Sequence, residues 1–325
     1  MSSFKELLKQ VNEPSEIPPF EVEEFEGFDS NSEHLPITDD LTNLILMHRN
    51  AHFGGKFEFM IEYYENEGIG CCNDFDLSDI KKLAKLQFQM KQDLVLTTLS
   101  KIELEKIKNV LEIYKGLRKL STLSKNENSI PSLLANLILT EEETPTKEIE
   151  ALSKNEKAFT YLLDLFQSEE FLDPLFPGYG RSPSHVATCL GKMKSEKAIM
   201  PLFGNLTADN FLHEEAIILA LKEIGKPAFD FLINVLQNEP FTIDNERAAV
   251  CLTSFGENEA FATTSLKLLK NFQTLNYPNL VVHLILACLG LKDKKDIETF
   301  LELRQQLPKA FDPDFQYVSS KLKRK

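Results

Sequence analysis

Apolar residues recur along this chain at two nested spacings. Between Ser184 and Gly256 an Ala-Leu or Cys-Leu pair returns every 31 residues, at Cys189-Leu190, Ala220-Leu221 and Cys251-Leu252. A second stripe follows the first two pairs: Ala198, Ile199, Leu202, Phe203 and Leu206, then Ala228, Phe229, Leu232, Ile233 and Leu236. Its offsets of 0, 1, 4, 5 and 8 trace one face of a helix. Two short amphipathic helices in each ~30 residues cannot bury their apolar faces alone and must stack on copies of themselves. The pattern predicts an all-α chain built as an α-solenoid of helical hairpins.

The same register reaches outward. Ala151-Leu152 and the stripe Ala158, Phe159, Leu162, Leu163 and Phe166 form a further copy, 38 residues before Cys189-Leu190. Between them lies FLDPLFPGYGRSP, Phe171 to Pro183, whose prolines and glycines forbid a helix. A long loop in a repeat array is either a spacer, here packing Leu175, Phe176 and Tyr179 over a joint, or a binding feature. Cys288-Leu289 begins a last copy, in which Arg304 takes the final stripe position, as suits a capping repeat. Upstream, LTNLILMHRNAHF stops at Gly54-Gly55, KFEFMIEYYENEG ends at Gly68, and DLSDIKKLAKLQFQM restarts after Asp76. The pattern stays helical from Lys91 to Leu123, and Pro131 opens another helix to Leu139. The expected divisions are an acidic extended arm at 1–37, a divergent helical region at 38–126, a repeat array at 127–310 and a basic tail at 311–325.

Charge changes the picture at the two ends. The formal net charge is −14, and residues 1–40 hold eleven acids against two lysines. An acidic chain repels phosphate backbones, so nucleic acid is not the expected partner. Within the arm, Met1 to Val11 can form a short helix. Phe20 to Phe28, FEVEEFEGF, alternates aromatics with acids and either docks on the chain itself or binds a partner. Lys321, Lys323, Arg324 and Lys325 read as a solvated tail. Of five cysteines, three fall at the buried pair position where Ala also serves; Cys71 and Cys72 are adjacent, with no C-x-x-C spacing. No apolar h-region opens the chain and no apolar run is long enough to span a bilayer, which together with the thiols gives a cytoplasmic expectation.

The segments ATCLGKMKSEKAIMPLFGNL and HEEAIILALKEIGKPAFDFLINVL resemble the short HEAT-like repeats of phycobilisome-lyase-type proteins, over about Thr146 to Gln306. LILMHRNAHFGGKFEFMIEYY and DPLFPGYG are similar to HEAT-repeat proteins of chlamydia-like bacteria. The resemblance implies the fold and brings no activity with it. One HEAT-like relative, deoxyhypusine hydroxylase, holds iron on His-Glu pairs repeated at matching helix positions, and His213-Glu214 looks like one such pair. The matching positions here are Ser182-Pro183, Asp244-Asn245 and Val281-Val282, so most ligands of such a cage are missing. His213-Glu214-Glu215 reads better as a surface helix start with an acidic first turn.

Three other sets of residues are candidates. His48 and His52, spaced i, i+4, share a helix face and could chelate a metal with Glu58 or Glu62 of the next helix; the structural alternative has one packed and the other solvated. The outward positions of the second helices are Thr160 and Asp164, Met200 and Gly204, Asp230 and Asn234. This line has no Lys/Arg ladder, which suits a peptide or protein rather than a nucleic acid. Pro177, Gly178, Tyr179, Gly180 and Arg181 are the loop's contact candidates. No phosphate-cradling or nucleophile-elbow motif occurs. The expectation is a non-catalytic scaffold or adaptor that binds a protein or extended peptide and needs no cofactor. The alternative is a metal- or cofactor-dependent enzyme of the HEAT-like hydroxylase or lyase type, and a third reading is an adaptor regulated by its own acidic arm.

Overall fold

The computed structural model describes residues 4–11, 40–123, 129–206, 211–275 and 277–324. Among these every regular element is helical. No described helix is long and apolar enough to cross a membrane. The segment Phe20 to Phe28 lies outside the described residues. The chain forms two compact units, Met1–Val186 and Ala187–Lys325.

The first unit contains α1 (Phe4–Val11), α2 (Asp40–His52), α3 (Phe57–Glu65), α4 (Leu77–Met90), α5 (Leu94–Thr98), α6 (Lys101–Leu123), α7 (Ile130–Leu139), α8 (Thr146–Ser153) and α9 (Phe159–Phe166). Local chemistry sets the boundaries. Asp76 and Asp93 accept hydrogen bonds from Ser78 N and Val95 N and cap α4 and α5. Lys91 takes a left-handed conformation and stops α4, which divides the helical run expected from Lys91 to Leu123 into α5 and α6. Ile45, Leu46, Met60, Ile80 and Val110, from α2, α3, α4 and α6, are at most 1% exposed and form one core. Leu175 and Phe176 of the Pro/Gly-rich loop are buried in that same core. The expected boundary at 126/127 falls inside this unit, where α6 and α7 pack together.

The division between the units falls within α10 (Ser182–Lys192). The second unit continues with α11 (Ile199–Gly204), α12 (Phe211–Ile224), α13 (Lys226–Gln237), α14 (Ile243–Thr253), α15 (Glu259–Leu269), α16 (Pro278–Ala287), α17 (Lys294–Glu302) and α18 (Asp312–Leu322). Both stripes predicted from the sequence face inward: Cys189, Leu190, Leu221, Cys251 and Leu252 are fully buried, as are Ala198, Leu202, Ala228, Leu232 and Leu236. Neighbouring helices pack in sequence, and α12 also meets α14, α13 meets α15, α14 meets α16 and α15 meets α17. Asn245, buried at the start of α14, donates to the carbonyls of Val235, Leu236 and Asn238, closing the end of α13 against the next helix.

Two expectations need correction. The C-terminal segment is not a solvated tail. Its stripe Phe315, Val318, Ser319 and Leu322 has the 0, 3, 4, 7 spacing of a helix face, is buried, and packs α18 on α16. His213 is not on the surface: it is 2% exposed, and burial lowers its pKa.

Candidate functional site

Two of the candidates expected separately, the histidine pair on α2 and the loop from Phe171 to Pro183, meet in the first unit. The His48 and His52 rings lie 5.3 Å apart, and the His52 ring is 4.6 Å from that of Tyr179. Tyr63 of α3 and Tyr114 of α6 complete the group, with ring centroids 6.2 Å from Tyr179 and 5.8 Å from His52. The loop holds Tyr179 in place by backbone shape. Gly178, Tyr179 and Gly180 all have positive φ, at 84°, 53° and 76°, so a tyrosine sits in a left-handed conformation that glycine alone adopts without cost. A Cβ at Gly178 would come within 2.8 Å of the Ile138 carbonyl, and one at Gly180 within 2.7 Å of the Leu172 carbonyl. Across the site, Gly70 presents bare backbone to the Tyr179 ring: a Cβ there would lie 2.4 Å from it.

The hydrogen bonds fix the tautomer of His52. Its Nε2 lies 3.2 Å from the Pro174 carbonyl, which can only accept, so Nε2 carries the proton. Nδ1, at 2.8 Å, then accepts from the Tyr114 hydroxyl. The Tyr179 hydroxyl donates to Glu141 Oε1 at 3.3 Å. The Tyr63 and Tyr64 hydroxyls accept from Gly70 N and Cys72 N, which pins the loop after α3. His48 is 4% exposed, stands edge-on to Phe75 at 5.0 Å, and has Cys72 Sγ 3.9 Å from its Nε2.

Burial decides the protonation states. Desolvation lowers His48 to about 4, with Asp173 opposing weakly and Lys106 reinforcing. It lowers His52 to about 3, helped by the neighbouring His48. Desolvation also raises Tyr63, Tyr64, Tyr114 and Tyr179, and the thiols of Cys71 and Cys72. At neutral pH the set is therefore two neutral imidazoles, four phenols and two thiols. None is poised as a nucleophile or as a base matched to that pH.

Both ring nitrogens of His52 are engaged, and Glu58 and Glu62, the proposed third ligands, are exposed. No group of three or more His, Cys, Asp and Glu side chains among the described residues could hold a metal ion. The arrangement with one histidine solvated is also not what is found: His52 is half-buried beneath Tyr179.

The remaining candidates are scattered. Pro177 and Gly180 are buried and offer nothing to a partner, while Gly178 and Arg181 are half-buried. Asp164 is already occupied: its Oδ2 accepts from the Phe4 backbone N–H at 2.8 Å. Thr160 is exposed in the first unit. In the second unit Asp230 and Asn234 are exposed, and Asp230 pairs with Lys226 at 2.7 Å. Met200, 66% exposed, borders a pocket of about 520 Å3 with Gly204, Phe231, Asn238 and Arg247.

Several residues of the first unit were not anticipated. Tyr63, Tyr64, Tyr114 and Cys72 join the histidines only through the tertiary fold. Arg49, fully buried, donates to Asp93 at 2.6 Å and lies 4.7 Å from the centre of the Phe57 ring. Its signal was present: Arg49 follows Ile45 by four residues on the inward face of α2.

Compared with family models, with curated proteins and with solved structures, the chain gives no match.

Proposed function

We propose that the chain is a non-catalytic helical scaffold whose second unit holds an extended peptide, its helix pairs stacking in the manner of a HEAT-like solenoid. The observation that carries this reading is the pocket beside Met200. It offers an exposed apolar side chain, an aromatic wall in Phe231 and polar groups at Asn238 and Arg247 around a floor at Gly204. Such a surface suits an apolar side chain flanked by main-chain amides. The inward-facing stripes and the contacts of each helix with the next but one support the stacking. The protonation states of the histidine–tyrosine cluster support a structural rather than catalytic use of that site.

Gly204 supplies the test. A Cβ built there meets nothing within 4 Å, and its φ is not positive, so a large side chain fills the pocket without strain. Peptides selected from an unbiased display library against the purified chain are expected to lose at least tenfold in affinity for Gly204→Trp and for Met200→Glu. Melting behaviour should be unchanged in both. Selected peptides that bind both variants as well as the wild type, or a library yielding no binder, would refute the proposal. The competing enzyme reading draws on the convergence of His48, His52, Cys72 and Tyr179. It would be favoured by stoichiometric metal in the purified chain that is lost in His48→Gln.

A further inference from the structure

The first unit carries a second recognition surface, which stands apart from the pocket at Gly204. Helix α1 packs against α6 and α9. Only two of its side chains are seen to be deeply buried, Phe4 at 1% and Leu8 at 7% exposed, and they are spaced i, i+4 on one face. Phe4 meets Phe171 edge-to-face at 6.1 Å. Its backbone N–H, one of the unpaired donors at the start of any helix, is taken by Asp164 Oδ2 at 2.8 Å. Groove and helix thus read three features of each other: an aromatic, a leucine one turn later, and a first-turn amide aimed at a carboxylate.

The balance of forces makes this contact exchangeable. Eight residues are too few to hold a helix alone in water. Docking must therefore fix the whole backbone of α1, and it has two apolar anchors and one cap to set against that cost. Covalent attachment supplies the rest, because a tethered segment competes at a high effective concentration. We propose that the groove formed by α6, α9 and Phe171 is a helix-recognition site for a partner protein. The ligand is a short amphipathic helix with an aromatic residue four positions before a leucine and a free first-turn N–H. Helix α1 is the resident competitor that such a partner displaces.

The test uses the full chain and a fluorescent peptide, SSFKELLKQVN, corresponding to residues 2–12. Undocking α1 by Phe4→Asp together with Leu8→Asp frees the groove. The peptide is expected to bind this variant at least tenfold more tightly than the wild type, and to lose that binding when its own phenylalanine is alanine. Adding Asp164→Lys to the groove should also weaken it. Equal binding to variant and wild type would overturn the proposal, as would no binding to a variant that keeps its helical signal and melting. A wild-type dimer that the peptide dissolves would overturn it too, since the occupant would then be α1 of a second copy. Hydrogen exchange on the wild-type chain gives a readout that needs no variant. The α1 amides should exchange at least a hundredfold faster than those of α2; equal protection would make α1 a permanent part of the core and end the idea.

Discussion

The two units solve the same problem by different means. The second is held by a repeated apolar register: small residues and leucines alternate inward along α12 to α16, and Gly191 lets one helix approach another so closely that a Cβ would lie 2.6 Å from the Ala220 Cα. The first unit instead buries polar chemistry. Arg49 is fully enclosed, His48 nearly so, and four tyrosines tie loops from distant parts of the chain around His52. A repeating register tolerates exchange of one small apolar residue for another, as Cys and Ala do at the pair positions. A polar cluster does not, because each buried donor or charge depends on a particular partner. The comparison teaches where each unit is vulnerable: the second to added volume, the first to lost partners and to acid.

Acid should give the largest effect. His48 and His52 titrate in the unfolded chain near the ordinary value of 6.5 but in the folded unit only at about 4 and about 3. Below 6.5 the unfolded state therefore binds protons that the folded state refuses. Stability falls as the pH drops from 6.5 toward 3, by a few kcal/mol in all. Urea unfolding at pH 7 and pH 4 should show this, and His48→Gln with His52→Gln should flatten part of the slope. His185 in the first unit and His213 and His283 in the second are also lowered by burial and retain their share. Imidazole resonances of His48 and His52 that titrate near 6.5 in the folded protein would contradict the enclosed cluster.

Removing the partner of Arg49 comes next. Asp93→Ala leaves a guanidinium with no solvent access facing Gln87, Asn50 and the Phe57 ring alone, and it strips the cap from α5. Asp93 is itself 44% exposed, so the loss should fall at the lower end for a broken buried pair, about 3 kcal/mol. Hydrogen exchange should locate the lost protection in α2, α4 and α5, with α13 to α16 unchanged. Asp93→Asn, which keeps an acceptor, should recover part of it. In the second unit, Gly191→Ala should cost about 1–2 kcal/mol, because the methyl meets backbone that cannot move aside. Its signature in exchange should be the reverse, confined to α12 and its neighbours.

What the sequence disclosed follows the same division. The stripes of the second unit were legible because burial there depends on period alone, and the stripe on α18 could have been read the same way had its lysines not drawn attention. In the first unit the i, i+4 spacing put His48 and His52 on one face. No local pattern could say that Tyr114, 62 residues on, and Pro174, 122 residues on, would take up the two nitrogens of His52. Those contacts depend on how α6 and the loop pack, and only the tertiary fold supplies that. The side chain of Asp164 was correctly placed as facing away from its own stripe. It was assigned to a foreign partner because nothing in sequence links it to an amide 160 residues away.

The smallest effect is the most diagnostic of the polar cluster. Gly70→Ala would push a methyl into the Tyr179 ring, where the ideal separation is 2.4 Å, and the ring must shift off His52 to admit it. Alone, the change should cost about 1 kcal/mol. Tyr179→Ala removes the ring but keeps the left-handed backbone strain at that position. In that background Gly70→Ala should cost almost nothing. The double-mutant cycle is therefore expected to show a coupling of about 1 kcal/mol between residues 109 positions apart. Additivity would mean that the ring does not rest on Gly70. The loop would then be held by Leu175 and Phe176 alone, as an apolar joint of the kind that builds the second unit.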